Sequence, residues 1–114
     1  MKTLSDFDFG RRELEANAEL TAVAWAENNG WEVRKLKYEG RRDAPDRLFA
    51  GHGHLFLAEF KKPSRRTTKD GGKSGGQSKE AQRFAAVGVT IQTFYSAQEC
   101  IEHLRRLMLM SLLK

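Results

Sequence analysis

The period of hydrophobic and polar positions changes several times along the chain, and each change marks an element. Residues 11–29 are Ala-rich, lack Gly and Pro, and stop at Asn28-Asn29-Gly30, a pattern that predicts a helix. At about 100° per residue, Leu14, Ala18, Ala22, Val23, Trp25 and Ala26 share one half of its wheel, and Glu15 and Glu19 fall inside that half. Trp31 to Tyr38 alternates with one phase slip and predicts a strand. Gly40 to Pro45 is a loop. Asp46 to Ala50 and Leu55 to Lys61 predict two strands joined by Gly51-His52-Gly53-His54, a hairpin turn by composition. Pro63 to Gly76 is polar and rich in Gly and Lys, which predicts a flexible loop. A second helix is expected from Gln77 to Val87, ended by Gly88, followed by a strand from Val89 to Tyr95. Ser96 then caps a last helix with Ile101, Leu104, Met108 and Leu112 along one side. The order αβββαβα predicts a mixed α/β domain.

Composition narrows the class. The chain has 114 residues, 39% of them hydrophobic, which suits a single domain with one core. Its apolar clusters fall well short of the roughly 20 residues that span a bilayer, so no membrane contact is expected. Met1 to Asp6 lacks the apolar centre of a signal peptide, and an intracellular location is the expectation. One cysteine, Cys100, excludes an internal disulfide and a cysteine-built zinc site. The net charge of +5 is unevenly spread: residues 1–30 sum to −3, residues 31–83 to +7, and residues 84–114 to +1. A basic middle suggests a polyanionic partner.

The hairpin carries the chemistry. A four-residue turn at 51–54 sets Ala50 opposite Leu55, Leu48 opposite Leu57 and Asp46 opposite Glu59. Alternation with a period of two then sends Asp46, Glu59 and Lys61 to one side. Two carboxylates about 5 Å apart across a ladder repel each other, yet these end the most apolar strands of the chain. A divalent cation would neutralise them, and ligation by carboxylate and water suits Mg²⁺ or Mn²⁺. Lys61 could orient a water and stabilise charge on a phosphoryl oxygen, and Glu15 or Glu19 could add a carboxylate from the first helix. Such a set suits metal-assisted phosphodiester hydrolysis. In the plainer reading, Pro45-Asp46 opens a strand and Glu59 pairs with Arg47 or Lys61; the pattern alone leaves both open.

Three blocks in order, Gly40-Arg41-Arg42-Asp43-Ala44-Pro45-Asp46-Arg47-Leu48, Phe56-Leu57-Ala58-Glu59-Phe60-Lys61-Lys62-Pro63 and Ser74-Gly75-Gly76-Gln77, resemble the VRR-NUC domain of the PD-(D/E)xK nuclease superfamily. Small stand-alone versions of that domain occur in phages and bacteria. The resemblance spans roughly residues 13–105. It implies a restriction-endonuclease-like αβββαβ core with a mixed central sheet, followed here by an extra C-terminal helix. It also implies Mg²⁺ or Mn²⁺ dependence and endonucleolytic cleavage of DNA, often branched or four-way-junction DNA. Carried onto this chain, it makes Asp46, Glu59 and the Phe60 carbonyl metal ligands and Lys61 the catalytic lysine. Gln77 matches a glutamine that opens the second helix and orients a water or substrate. Glu15 or Glu19 matches an acid of the first helix, in an outer shell or at a second metal. Two departures stand out: Asp43 replaces the usual Gly, and the Pro63–Ser74 loop is about six residues longer than in compact relatives.

Around these residues the sequence divides into an N-terminal arm, residues 1–10, and one domain, residues 11–114, with a basic loop at 63–76. Lys61, Lys62, Arg65, Arg66, Lys69 and Lys73 form a basic run expected to clamp phosphate, with Arg41 and Arg42 as further backbone contacts. His52-x-His54 sits at the wrong end of the hairpin for the chemistry, and Cys100, Trp25 and Trp31 are expected in the core. Leu107 to Leu113 is apolar around most of its wheel, more than one buried stripe needs, which predicts a homodimer through the last helix. The alternative to a nuclease is a nucleic-acid-binding module that no longer cleaves. A sequence-specific restriction enzyme would need a recognition domain for which 114 residues leave little room.

Overall fold

The computed structural model describes residues 15–67 and 69–113, so the N-terminal arm and the first residues of the expected helix lie outside the described part. The elements are helix α1 (Glu15–Glu27), strands β1 (Glu32–Lys35), β2 (Arg47–Gly51) and β3 (His54–Phe60), helix α2 (Gly75–Ala86), strand β4 (Ile91–Phe94) and helix α3 (Ala97–Leu112). Between β3 and α2 run two short 3₁₀ turns, Pro63–Arg65 and Lys69–Gly72. The order αβββαβα therefore agrees with the sequence reading.

The sheet runs β1-β2-β3-β4, antiparallel except for the parallel β3–β4 pair. Ala50 faces Leu55 and Leu48 faces Leu57, the expected register, but Gly51 also pairs with His54, so the turn is two residues long and not four. His52 and Gly53, both at positive φ, make that turn (φ 51° and 83°).

Strand alternation divides the sheet into two faces. Val33, Phe49, Phe56, Ala58, Phe60 and Phe94 are buried with the Ala18-Ala22-Ala26 stripe of α1 and with Cys100 and Leu104 of α3. Phe49 and Phe56 stack at 5.0 Å between centroids within this layer. Three alanines on one stripe let α1 approach the sheet closely, and Val23 and Trp25 pack at its flank. Glu59, between Ala58 and Phe60, must point to the opposite face.

Several boundaries differ from the periodicity. Strand β1 ends at Lys35, because beyond it the backbone leaves the ladder after Leu36 N donates to the Asp46 carbonyl. This is the position of the phase slip, and it frees Tyr38 to reach another element. Strand β4 is limited to Ile91–Phe94, the part that pairs with β3. Helix α2 begins at Gly75, two residues earlier than expected, because Ser74 caps it. On α3 the buried positions are Ala97, Cys100 and Leu104, whereas Leu112 is 79% exposed and off the core stripe. Trp31 is buried, as expected, while Trp25 is half-buried beneath the Arg105 guanidinium, 5.3 Å from its ring centroid.

Candidate active site

Glu59 is 1% exposed, and among the described residues neither of its carboxylate oxygens has a hydrogen-bond partner. A buried carboxylate normally finds donors, because leaving it bare costs several kcal/mol (about 1–3 or more). Burial pushes its carboxyl up to about 7; Asp46 and Asp43 push the same way, and Lys61 and Lys73 oppose them. Three of these four charged neighbours lie in the sequence blocks singled out above, and Lys73 belongs to the basic run.

Asp46 immediately precedes β2, so the ladder carries it opposite Glu59. Its Oδ2 accepts a 2.7 Å hydrogen bond from the Phe60 amide, which ties the loop carboxylate to the strand that carries Glu59. Lys61 continues β3 by donating its amide to the Phe94 carbonyl at 2.9 Å. Its ammonium donates to Gln77 Oε1 at 2.9 Å.

That glutamine is fixed by the helix it opens. Ser74 Oγ accepts from the Gln77 amide, and Gln77 Oε1 in return accepts from the Ser74 amide at 3.0 Å, a complete capping box. One carbonyl oxygen therefore serves both the start of α2 and the lysine. Gly76 admits a further neighbour: a Cβ added there would collide with the Asp43 carboxylate. Asp43 holds φ at 68°, a left-handed conformation that glycine adopts more readily.

The first-helix acids behave differently. Glu19 Oε2 accepts from Arg47 Nε at 2.5 Å, with both side chains about 15% exposed. Arg47 pairs with Ala58 across the ladder and so lies on the face opposite Glu59. The side chain of Glu15 lies outside the described residues. Among the described residues, no three His, Cys, Asp or Glu gather into a group that could hold a metal ion. Asp46 and Glu59 thus provide a two-carboxylate site. Mg²⁺ fits such a pair, since it commonly takes one or two carboxylates and fills its octahedron with water and substrate phosphate. The bare, buried oxygens of Glu59 are the observation that favours a cation there.

The basic run is divided in the structure. Lys61, Lys62 and Arg65 line a cavity of about 370 Å³ with Ser64 and Gly72. Lys73 acts electrostatically on Glu59. Arg66, in contrast, is ion-paired with Glu99 and lies 4.6 Å over the Tyr95 ring, while Tyr95 donates to the Gly71 carbonyl at 2.9 Å. The segment expected to be flexible is therefore fastened to the N-terminus of α3. The side chain of Lys69 lies outside the described residues. Arg42 is exposed, and Arg41 lies 3.6 Å from Glu80.

Glu80 was not singled out by the sequence. It is 3% exposed and accepts from the Tyr38 hydroxyl at 2.5 Å. The hydrogen bond from Tyr38 holds its carboxyl below the usual range; Arg83 and Arg41 assist, and burial opposes. Tyr38 is pushed up to about 12, chiefly by burial and then by Glu80. The available signal was spacing, because Glu80 lies three residues after Gln77 and so on the same face of α2.

His52 does not approach these groups, since its Nε2 is 2.8 Å from the Asn29 carbonyl. Cys100 is fully buried, and burial pushes its thiol up to about 12. Among the described residues, no helix is long and apolar enough to cross a membrane.

No protein-family model matches the chain, and no curated protein matches it in sequence. A solved structure described as a VRR_NUC domain does match: the TM-score is 0.66 with 29% identity, over 80% of this chain and 94% of the other. With a four-stranded mixed sheet and three helices among the described residues, the chain has the restriction-endonuclease-like fold and resembles VRR_NUC domains in both fold and sequence.

Proposed function

We propose that the chain is a divalent-metal-dependent DNA endonuclease that hydrolyses phosphodiester bonds in branched or otherwise structured DNA. The observation that carries this reading is the pair Asp46 and Glu59, the latter buried with two bare oxygens, beside a lysine held by Gln77. The likeness to a VRR_NUC domain supports it.

In this reading Asp46, Glu59 and the Phe60 carbonyl hold Mg²⁺ or Mn²⁺; of the first-helix acids, Glu15 contributes the outer carboxylate, because Glu19 is committed to Arg47 on the other sheet face. When bound, the metal polarises the scissile phosphate and acidifies a water. Lys61 supplies positive charge where the phosphorane oxygens become more negative, and its contact with Gln77 fixes where that charge sits. Lys62, Arg65 and Lys73 draw in the DNA backbone, with Arg41 and Arg42 as further backbone contacts. These contacts position the strand rather than read its sequence. Two copies joined through the apolar outer face of α3, where Leu109, Met110 and Leu112 are exposed, would offer paired sites to a symmetric junction.

The test is cleavage of labelled linear duplex, single strand, flap and four-way junction with Mg²⁺, Mn²⁺ or EDTA, beside Asp46→Ala. Metal-dependent cutting lost in the variant supports the reading. Binding without cutting would replace it with a non-cleaving nucleic-acid-binding module.

A further inference from the structure

Beside the carboxylate pair lies a second constellation, built by the segment after β1 and by α2. A hollow of about 360 Å³ is lined by Tyr38, Arg41, Glu80, Arg83, Phe84 and Val87. At its base the buried Glu80 carboxylate divides its oxygens: Oε2 takes the Tyr38 hydroxyl, and Oε1 takes Arg83 at 3.1 Å with Arg41 at 3.6 Å. The two arginines come from different elements and are both more than half exposed.

This arrangement exceeds what the fold needs. The Tyr38–Glu80 bond ties the loop to the helix and Arg83 already offsets the buried carboxylate, so a second arginine brought in from the loop is more than the fold requires. What the shared carboxylate does is hold two like charges, one from the loop and one from α2, close together at the lining of the hollow. A guanidinium has five N–H donors, so a contact with Glu80 leaves several for another acceptor. The trio carries a net charge of +1, the complement of one phosphodiester. Phe84, Val87 and the Tyr38 ring form an apolar wall beside it, suited to a sugar or base and not to a free anion.

The location is also informative. Glu80 stands one turn from Gln77, whose side chain holds Lys61, and Tyr38 lies within the electrostatic reach of Glu59. We propose that this hollow is a nucleotide subsite for the DNA strand flanking the scissile phosphate, in which Arg41 and Arg83 grip a phosphate, Phe84 and Tyr38 wall the adjoining sugar and base, and Glu80 is the positioning residue for both arginines. The proposal rests on the nuclease reading of the neighbouring carboxylates only for the word scissile; the subsite itself is a matter of binding.

The experiment is equilibrium binding of fluorescent single-stranded and branched DNA in EDTA, across a salt series, followed by cleavage in Mg²⁺. Each phosphate contact contributes about 0.7 to the log–log salt slope on single strands and about 0.9 on duplex. Because the two arginines share one phosphate, Arg41→Ala/Arg83→Ala should lower the slope by about 0.7–0.9, and Arg105→Ala/Arg106→Ala, the same charge loss on α3, by much less. Equal losses from the two doubles would overturn the subsite. Glu80→Gln raises the net charge by one, so a mere counter-charge role predicts tighter binding, whereas positioning predicts binding weaker by threefold or more. Should that variant fail to fold, Arg83→Lys keeps the charge without the planar fork. A threefold or greater weakening then supports the clamp, and unchanged affinity refutes it. In cleavage, the arginine double should raise KM by a larger factor than it lowers kcat.

The two readings fail separately. A wild type that binds DNA with the expected slopes but never cuts overturns hydrolysis and retains the subsite. Cutting with equal slope losses does the reverse, and no DNA binding at all removes both.

Discussion

Glu59→Gln should make the metal-free protein more stable at neutral and alkaline pH, against the usual direction for a change at a buried polar position. The folded carboxyl titrates at about 7, against 4.5 for an ordinary glutamate. Between those values the unfolded chain has released its proton while the folded chain still holds one. Stability therefore falls as pH rises through this window: the contribution is fully present below about 4.5 and lost above about 7. At about 1.4 kcal/mol per pH unit, the whole loss is about 3 kcal/mol, of which about 2 kcal/mol falls between pH 5 and pH 8. The glutamine variant has the same shape without the charge, so its stability profile should lack this component. Any cost of its unpartnered amide is nearly constant with pH and cancels from the comparison.

The assay is urea unfolding of both proteins in EDTA at pH 5, 6, 7 and 8. The stability of wild type relative to the variant should fall by about 2 kcal/mol over this range. For a domain of this size that is roughly 8–16 °C in Tm, by the scaling of about 4–8 °C per kcal/mol. Adding Mg²⁺ or Mn²⁺ at pH 8 should raise the wild type and leave the variant nearly unmoved, because metal binding stabilises whichever state holds the ligands. Parallel pH profiles would show that Glu59 carries no raised proton affinity and would refute the reasoning from its bare oxygens.

Three further outcomes are expected. Lys61→Ala should keep the metal-induced rise in Tm while cleavage falls by about 10²–10³-fold, the usual loss for a charge-stabilising donor; an active variant would remove Lys61 from the chemistry. Asp43→Gly relieves a left-handed backbone and removes a carboxylate that pushes Glu59 upward, so the Glu59 midpoint, followed by carboxyl NMR, should move to lower pH. Glu19→Ala leaves Arg47 partly buried and unmatched and should cost about 2 kcal/mol, below the roughly 3–5 of a fully buried pair. Adding Arg47→Ala should cost less than the sum of the two single changes, as read by denaturant unfolding.

The hairpin was legible because its information is local. Turn length fixes register, register fixes which residues oppose, and alternation fixes the face, so Asp46, Glu59 and Lys61 follow from counting alone. The first-helix acids were not legible for the converse reason. A helical wheel places Glu19 on the inner side but cannot say which strand residue it meets, and the partner is Arg47, on the sheet face away from Glu59. Leu112 failed similarly: spacing aligned it with Leu104, but the chain has no described layer for it to pack against at that end of α3.

Gln77 shows how a local rule and a tertiary contact can share one atom. The Ser74-x-x-Gln77 spacing is a capping box by sequence, a device worth about 1 kcal/mol to a helix start. Nothing in that spacing says that the same Oε1 also receives the Lys61 ammonium, sixteen residues away in sequence. Yet the consequence is direct. The capping box fixes the rotamer of Gln77, the fixed rotamer fixes Lys61 Nζ, and Lys61 stands two residues from the buried Glu59 on the same strand face. The helix that begins at Gly75 therefore also supplies Glu80, one turn later, to the arginine pair. A helix start two residues downstream, as periodicity alone suggested, would take Gln77 out of the N3 position, and its side chain would lose the Ser74 amide that holds it toward Lys61.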